Sequence, residues 1–212
     1  MTRSARGGLA LPAVLYLVTG LSVAMGAVRA WEVPQGALPA DSLHLAATPL
    51  AIWVHALSAT IFGLLGPLQF GRVLRRRFGR AHRTFGRVFA VAGVFMAASG
   101  LRLVLAHPET AAPLVDGARA AFSVGLVAAI ALSVQAIRLG EREGHRDWMI
   151  RAYALGTGTA PVAIVFIPIY VATGAPPIGP LADAIFIGTW VASVAVAELV
   201  ILRLRRPTGL PA

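Results

Sequence analysis

The chain has 212 residues, of which 57% are apolar and 13% charged, and it carries a formal net charge of +10. Soluble domains contain about 25% charged residues, so a mean hydropathy of +0.74 excludes an ordinary soluble domain. There is no cysteine, which excludes disulfides, thiolate metal sites, covalent c-type haem attachment and thiol nucleophiles.

A helix needs about 20 mostly apolar residues to cross a bilayer core. Six such stretches are predicted, at about 9–28, 48–70, 85–106, 120–137, 152–173 and 181–202. The first, fourth and fifth carry no charge, whereas the third contains Arg102 and the sixth Asp183 and Glu198, all toward the ends. Arg3 and Arg6 ahead of the first stretch, with Val28-Arg29-Ala30 behind it, resemble a secretory signal. The run is longer than the roughly 7 to 15 residues of a signal core, and a retained helix is expected. Pro161 and Pro168 interrupt the fifth stretch, directly after Gly156-Thr157-Gly158-Thr159.

All 19 cationic side chains are arginine. Sixteen fall at the N-terminus, in the second and fourth connections and in the C-terminal tail; only Arg29, Arg102 and Arg119 fall on the other side. The positive-inside rule then puts both termini in the cytoplasm, which an even number of spans requires independently. The basic character is an orientation signal, with the lipid bilayer and its anionic headgroups as partners. No nucleic-acid reader motif is present, so no nucleic-acid partner is expected. The expected architecture is all-α: a polytopic bundle of six transmembrane helices in the cytoplasmic membrane, N-in and C-in. It forms a single domain over 1–212, with a four-helix core from spans two to five.

Two segments repeat a pattern on entering outbound helices: His82-Arg83-Thr84-Phe85 and His145-Arg146-Asp147-Trp148. Thr84 and Asp147 are N-cap residue types, whose side-chain oxygens accept from free backbone N–H groups. A parallel repeat about an axis along the membrane normal places the two histidines at one depth. Gly79, Gly86, Gly93 and Gly100 recur every seven residues, and His55, Ala59, Gly63, Gly66 and Gln69 form a small and polar stripe. Both faces should pack inside the bundle, since small residues let helix backbones approach closely in lipid.

Ionisable residues near a membrane interior are functional candidates. His55 lies about 10 Å below the outer boundary at 1.5 Å per residue, while His82 and His145 lie at the inner one. His44 and His107 fall in outer loops and are expected to be solvated. One chemistry for the pair is a b-type haem, with His82 and His145 as axial ligands. Arg83, Arg87, Arg146 or Arg151 would pair with its propionates, and His55 is a further cofactor-binding candidate at another depth. A metal ion lacks a third ligand at useful spacing. A second chemistry is anion or lipid-headgroup binding, because His-Arg pairs beside helix N-termini combine cations with free backbone donors. A third is small-molecule transport, in which the interrupted fifth span lines a path. Against all three stands plain packing, with arginines snorkelling to the interface.

His55 with Gly63-Leu64-Leu65-Gly66-Pro67-Leu68-Gln69-Phe70, His82-Arg83 with Gly86-Arg87, and His145-Arg146-Asp147-Trp148-Met149-Ile150-Arg151 resemble one family. It is the bacterial integral membrane family designated domain of unknown function 2306, and the resemblance covers about residues 50–170. It implies a multi-pass membrane protein and carries no activity with it. Its histidine-bearing four-helix core looks loosely like cytochrome b561-type haem proteins, an analogy at the level of fold. The Gly156-Thr157-Gly158-Thr159 stretch departs from the family pattern.

Overall fold

A computed structural model describes residues 3–107 and 113–205; Arg206 of the arginine tail lies outside them. Among the described residues there are eight α-helices and no strand. They are α1 (Arg3–Glu32), α2 (Pro49–Phe70), the short α3 (Arg72–Arg77), α4 (Gly79–Ala106), α5 (Pro113–Arg138), α6 (Arg142–Thr157), α7 (Val162–Thr173) and α8 (Gly179–Arg205). With α6 and α7 taken together, six segments are long and apolar enough to cross a membrane. Large apolar side chains such as Leu17, Leu50 and Val171 point outward, as a lipid-facing surface demands.

Two helices begin earlier than the apolar pattern suggests. The third span starts at Gly79 rather than near 85, and the fifth at Arg142 rather than near 152. Thr84 and Asp147 are therefore interior helical residues and not N-caps; Phe78 and Glu141 hold those positions. The helices outrun the hydrophobic stretch because arginine stems can reach toward headgroups while the backbone stays hydrogen-bonded.

The expected interruption of the fifth span is present between α6 and α7. Pro161 has no N–H to continue the ladder, and residues 158–160 form a turn in which Ala160 N donates to Thr157 O at 2.9 Å. Carbonyls at a helix end lack intrahelical donors. Here the Trp190 Nε1–H of α8 donates to Leu155 O at 3.0 Å.

The core is a ring of α2, α4, α5 and α6, with α1 laid on α2 and α8 on α6. At its centre Phe62 of α2 stacks on Phe89 of α4, with ring centroids 4.2 Å apart, and Tyr153 of α6 completes the cluster 6.1 Å from Phe62. Glycines make room for these rings. A Cβ at Gly93 would lie 2.9 Å from Phe62 and 2.7 Å from Ile130, and one at Gly66 would strike Tyr153. Gly156 likewise faces Phe62 and Met96, and Gly158 faces the Trp190 indole. Gly66, Gly93, Gly156 and Gly158 are thus sockets for aromatic rings, while Gly86 of the seven-residue repeat faces Gln69 and Gly100 faces His55.

Overpacking a tight interior costs about 1–3 kcal/mol. Gly66→Ala and Gly158→Ala should each lower the thermal unfolding midpoint in detergent, while Gly20→Ala, with open space around it, should leave it unchanged or raise it slightly.

Candidate functional site

The arginine-rich end of the bundle gathers the C-terminal ends of α2 and α5 and the N-terminal ends of α4 and α6. His82 is the fourth residue of α4 and His145 the fourth of α6. Their backbone N–H groups donate to equivalent N-cap carbonyls, Phe78 O at 3.0 Å and Glu141 O at 2.9 Å. The two helices sit on a diagonal of the ring, and Arg75, His145 and Arg83 lie within electrostatic reach of His82.

Hydrogen bonding fixes the tautomer of one ring. His145 Nδ1 lies 3.1 Å from the carbonyl of Ser133, a fully buried residue of α5. A carbonyl can only accept, so Nδ1 carries the proton and Nε2 keeps its lone pair. The Ser133 hydroxyl agrees: it donates to His145 O at 3.1 Å and accepts from Nδ1 at 2.8 Å. His82 Nδ1, in contrast, is enclosed without a hydrogen-bond partner among the described residues. The same holds for Gln69 Nε2, near the C-terminal end of α2, and for Arg146 Nη2. Gln69 lies against Gly86, one turn beyond His82 on α4.

The arginines divide by task. Arg151 forms a two-pronged pair with Glu198 of α8 (Nε to Oε1 2.6 Å, Nη2 to Oε2 2.9 Å) and stacks over Trp148 at 4.6 Å. It is committed to holding α8. Arg146 Nε donates to Asp147 Oδ1 at 2.9 Å, and Arg205 Nε donates to Asp147 Oδ2 at 2.6 Å. Asp147 is fully buried, so this is a second tie between α6 and α8. Arg87 lines an apolar groove between α2 and α4 beside Val88 and Phe95, away from the two histidines. Arg83 is exposed and runs back over the first turn of α4 toward Gly79. The structure therefore leaves Arg83 and the free arm of Arg146 near the histidine pair and takes Arg87 and Arg151 elsewhere.

His55 belongs to a different place. It lines a cavity of about 460 Å³ toward the opposite end of the bundle, with His44, His107, Asp116 and Arg119. His44 is exposed and His107 half-buried, both in connections as expected; their rings also meet edge to face at 5.9 Å, and His107 Nε2 lies 2.8 Å from Thr48 Oγ1. Sequence reasoning did not find this cavity. Its one signal was the Gly156-Thr157-Gly158-Thr159 run before Pro161, whose Gly156, Thr157 and Thr159 line the wall.

The family described as "Predicted membrane protein (DUF2306)" matches residues 52–201. The chain belongs to this family. The match reaches past the expected limit near 170 to take in most of α8, so the DUF2306 region includes the Arg151–Glu198 pair; α1 precedes it. No curated protein and no solved structure matches the chain.

Removing one partner of a buried ion pair costs about 3–5 kcal/mol, and an exposed pair contributes about 0–1 kcal/mol. Asp147 is fully buried but the Arg205 side chain is 55% exposed, so Asp147→Asn should cost about 2 kcal/mol, between those limits. Glu198, 41% exposed, should cost less on replacement by Gln. Thermal unfolding of the two variants in detergent checks the order; a more damaging Glu198→Gln would contradict it.

Proposed function

We propose that this DUF2306 protein is a membrane-embedded binding protein whose arginine-rich end faces the cytoplasm and holds an anionic, acceptor-rich group between α2, α4 and α6. One observation carries the reading: three enclosed polar nitrogens, Gln69 Nε2, His82 Nδ1 and Arg146 Nη2, near the arginine-rich ends of α2, α4 and α6, have no hydrogen-bond partner among the described residues. Two of them can only donate. Enclosed donors left unpaired cost about 1–3 kcal/mol each, more when charged, so this end favours a ligand that accepts. Arg75 and Arg83 add positive potential around His82, and phosphate or carboxylate headgroups of the inner leaflet are the nearest source of such acceptors. The orientation rests on the excess of arginine at this end.

A second reading is the b-type haem, and a specific observation favours it. The Ser133 carbonyl leaves His145 Nε2 with its lone pair, as ligation of iron requires, with the other ring nitrogen anchored by a backbone carbonyl. His82 stands at the equivalent turn of α4. With Arg87 and Arg151 engaged elsewhere, Arg83 and Arg146 are the residues left to meet propionates.

Native mass spectrometry with equimolar phosphatidic acid and phosphatidylcholine separates the readings. The intact protein should retain phosphatidic acid about tenfold over phosphatidylcholine, the worth of one charge-assisted hydrogen bond. The pair Gln69→Leu with His82→Phe should bring that ratio near unity. Equal retention of both lipids by the unaltered protein removes the anion reading. A Soret band lost in both His82→Ala and His145→Ala would carry the haem reading in its place, and colourless protein from haem-replete cells would end it.

A further inference from the structure

The geometry points to a second, independent site at the opposite end of the bundle: the cavity around His55 takes a neutral amphiphile whose hydroxyl group donates to His55 Nε2. Ligand pockets for small molecules measure about 300–1,000 Å³ and combine apolar walls with a few convergent polar groups. This cavity holds about 460 Å³, enough for a ring with a short alkyl chain.

Its walls are graded. Phe62, Met96 and Leu126 of the central cluster make an apolar floor, and His44, His107, Asp116 and Arg119 stand toward the chain segments that join the helices. Asp116 and Arg119 pair with each other at 3.3 Å, so the polar end offers no unbalanced charge to select an ion. Trp190, stacked on Phe122 at 4.6 Å, gives a flat aromatic wall suited to a ring.

His55 supplies the specificity. Its Nδ1 lies 3.0 Å from the Met96 carbonyl, which forces the proton onto Nδ1 and leaves the Nε2 lone pair. That nitrogen has no protein hydrogen bond among the described residues, and the ring lines the cavity. A partly apolar chamber in which an imidazole keeps an acceptor lone pair, beside wall hydroxyls such as Ser123 and Thr159, favours a donor on an apolar body: a phenol or an alcohol, in preference to an ether, an ion or a hydrocarbon.

Gly156, Thr157, Thr159 and Ala160, at the break between α6 and α7, give this part of the wall small side chains only. This placement is independent of the histidine pair, since Phe62, Phe89 and Tyr153 fill the core between the two ends.

The test uses the full chain in detergent with 4-hexylphenol and its methyl ether, 4-hexylanisole, measured by isothermal titration calorimetry. The phenol should bind about tenfold more tightly, as one added buried hydrogen bond predicts. Equal affinities, or no saturable binding of the phenol, would overturn the proposal. His55→Asn keeps a donor for the Met96 carbonyl but removes the acceptor at the Nε2 position, so the phenol preference should vanish; a preference that survives in this variant counts equally against the site. A reading free of substitution comes from a diazirine-bearing hexylphenol on the unaltered protein. Labelled peptides should come from the wall segments 19–23, 44–63, 96–107, 116–126, 155–160 and 186–190, and labelling confined to other segments would overturn the assignment.

Discussion

The seating of Phe62, Phe89 and Tyr153 in glycine sockets is the constraint on which the rest of the molecule depends. Lipid offers no hydrophobic drive for helices to associate, so close van der Waals packing must supply the adhesion. Gly66 lies beneath Tyr153 and Phe89, Gly93 beneath Phe62, and Gly156 beneath Phe62 again. Each ring from one helix thus locks against the backbone of another, and the sliding of α2, α4 and α6 past one another is blocked. His82 lies seven residues before Phe89 and His145 eight before Tyr153, about two helical turns in each case. The aromatic lock therefore sets the level at which the two imidazoles stand.

The same cluster divides the core into chemically different ends. On one side lie arginines, two imidazoles and enclosed donors without partners among the described residues. On the other lies a chamber whose one ion pair is internally balanced and whose histidine presents an acceptor. Between them the rings of Phe62, Phe89 and Tyr153 pack into one cluster. A polar substrate crossing through this core would have to displace Phe62 and Tyr153, which weighs against the transport reading and for two separate binding functions.

Hydropathy alone made the six spans legible, and the arginine distribution supplied an orientation. The His-Arg motifs and the Trp148-Met149-Ile150-Arg151 run made the family legible, though not its reach into α8. Helix starts were not legible, because α4 and α6 begin in arginine-rich sequence that carries no apolar period. Partners were less legible still. Arg151 finds Glu198 across 47 residues and Asp147 finds Arg205 across 58, and no local pattern announces such pairs. Arginines that sequence assigned to a ligand turn out to clamp α8, while Gln69, read as part of a packing stripe, contributes an enclosed donor beside His82. The chamber around His55 was hidden for a related reason: its residues come from α1, α2, α4, α5, α6, α8 and three connecting segments, and only assembly brings them together.

The absence of cysteine opens a direct test of the arrangement. Nitroxide labels on His82→Cys and His145→Cys, measured by pulsed electron spin resonance in lipid nanodiscs, report the span across the diagonal of α4 and α6. Neighbouring helices pack about 8–10 Å apart, so a distribution centred below about 25 Å, label arms included, is the predicted result. A distribution centred beyond about 35 Å, wider than a four-helix core allows, would contradict the lock and with it the site at the arginine-rich end.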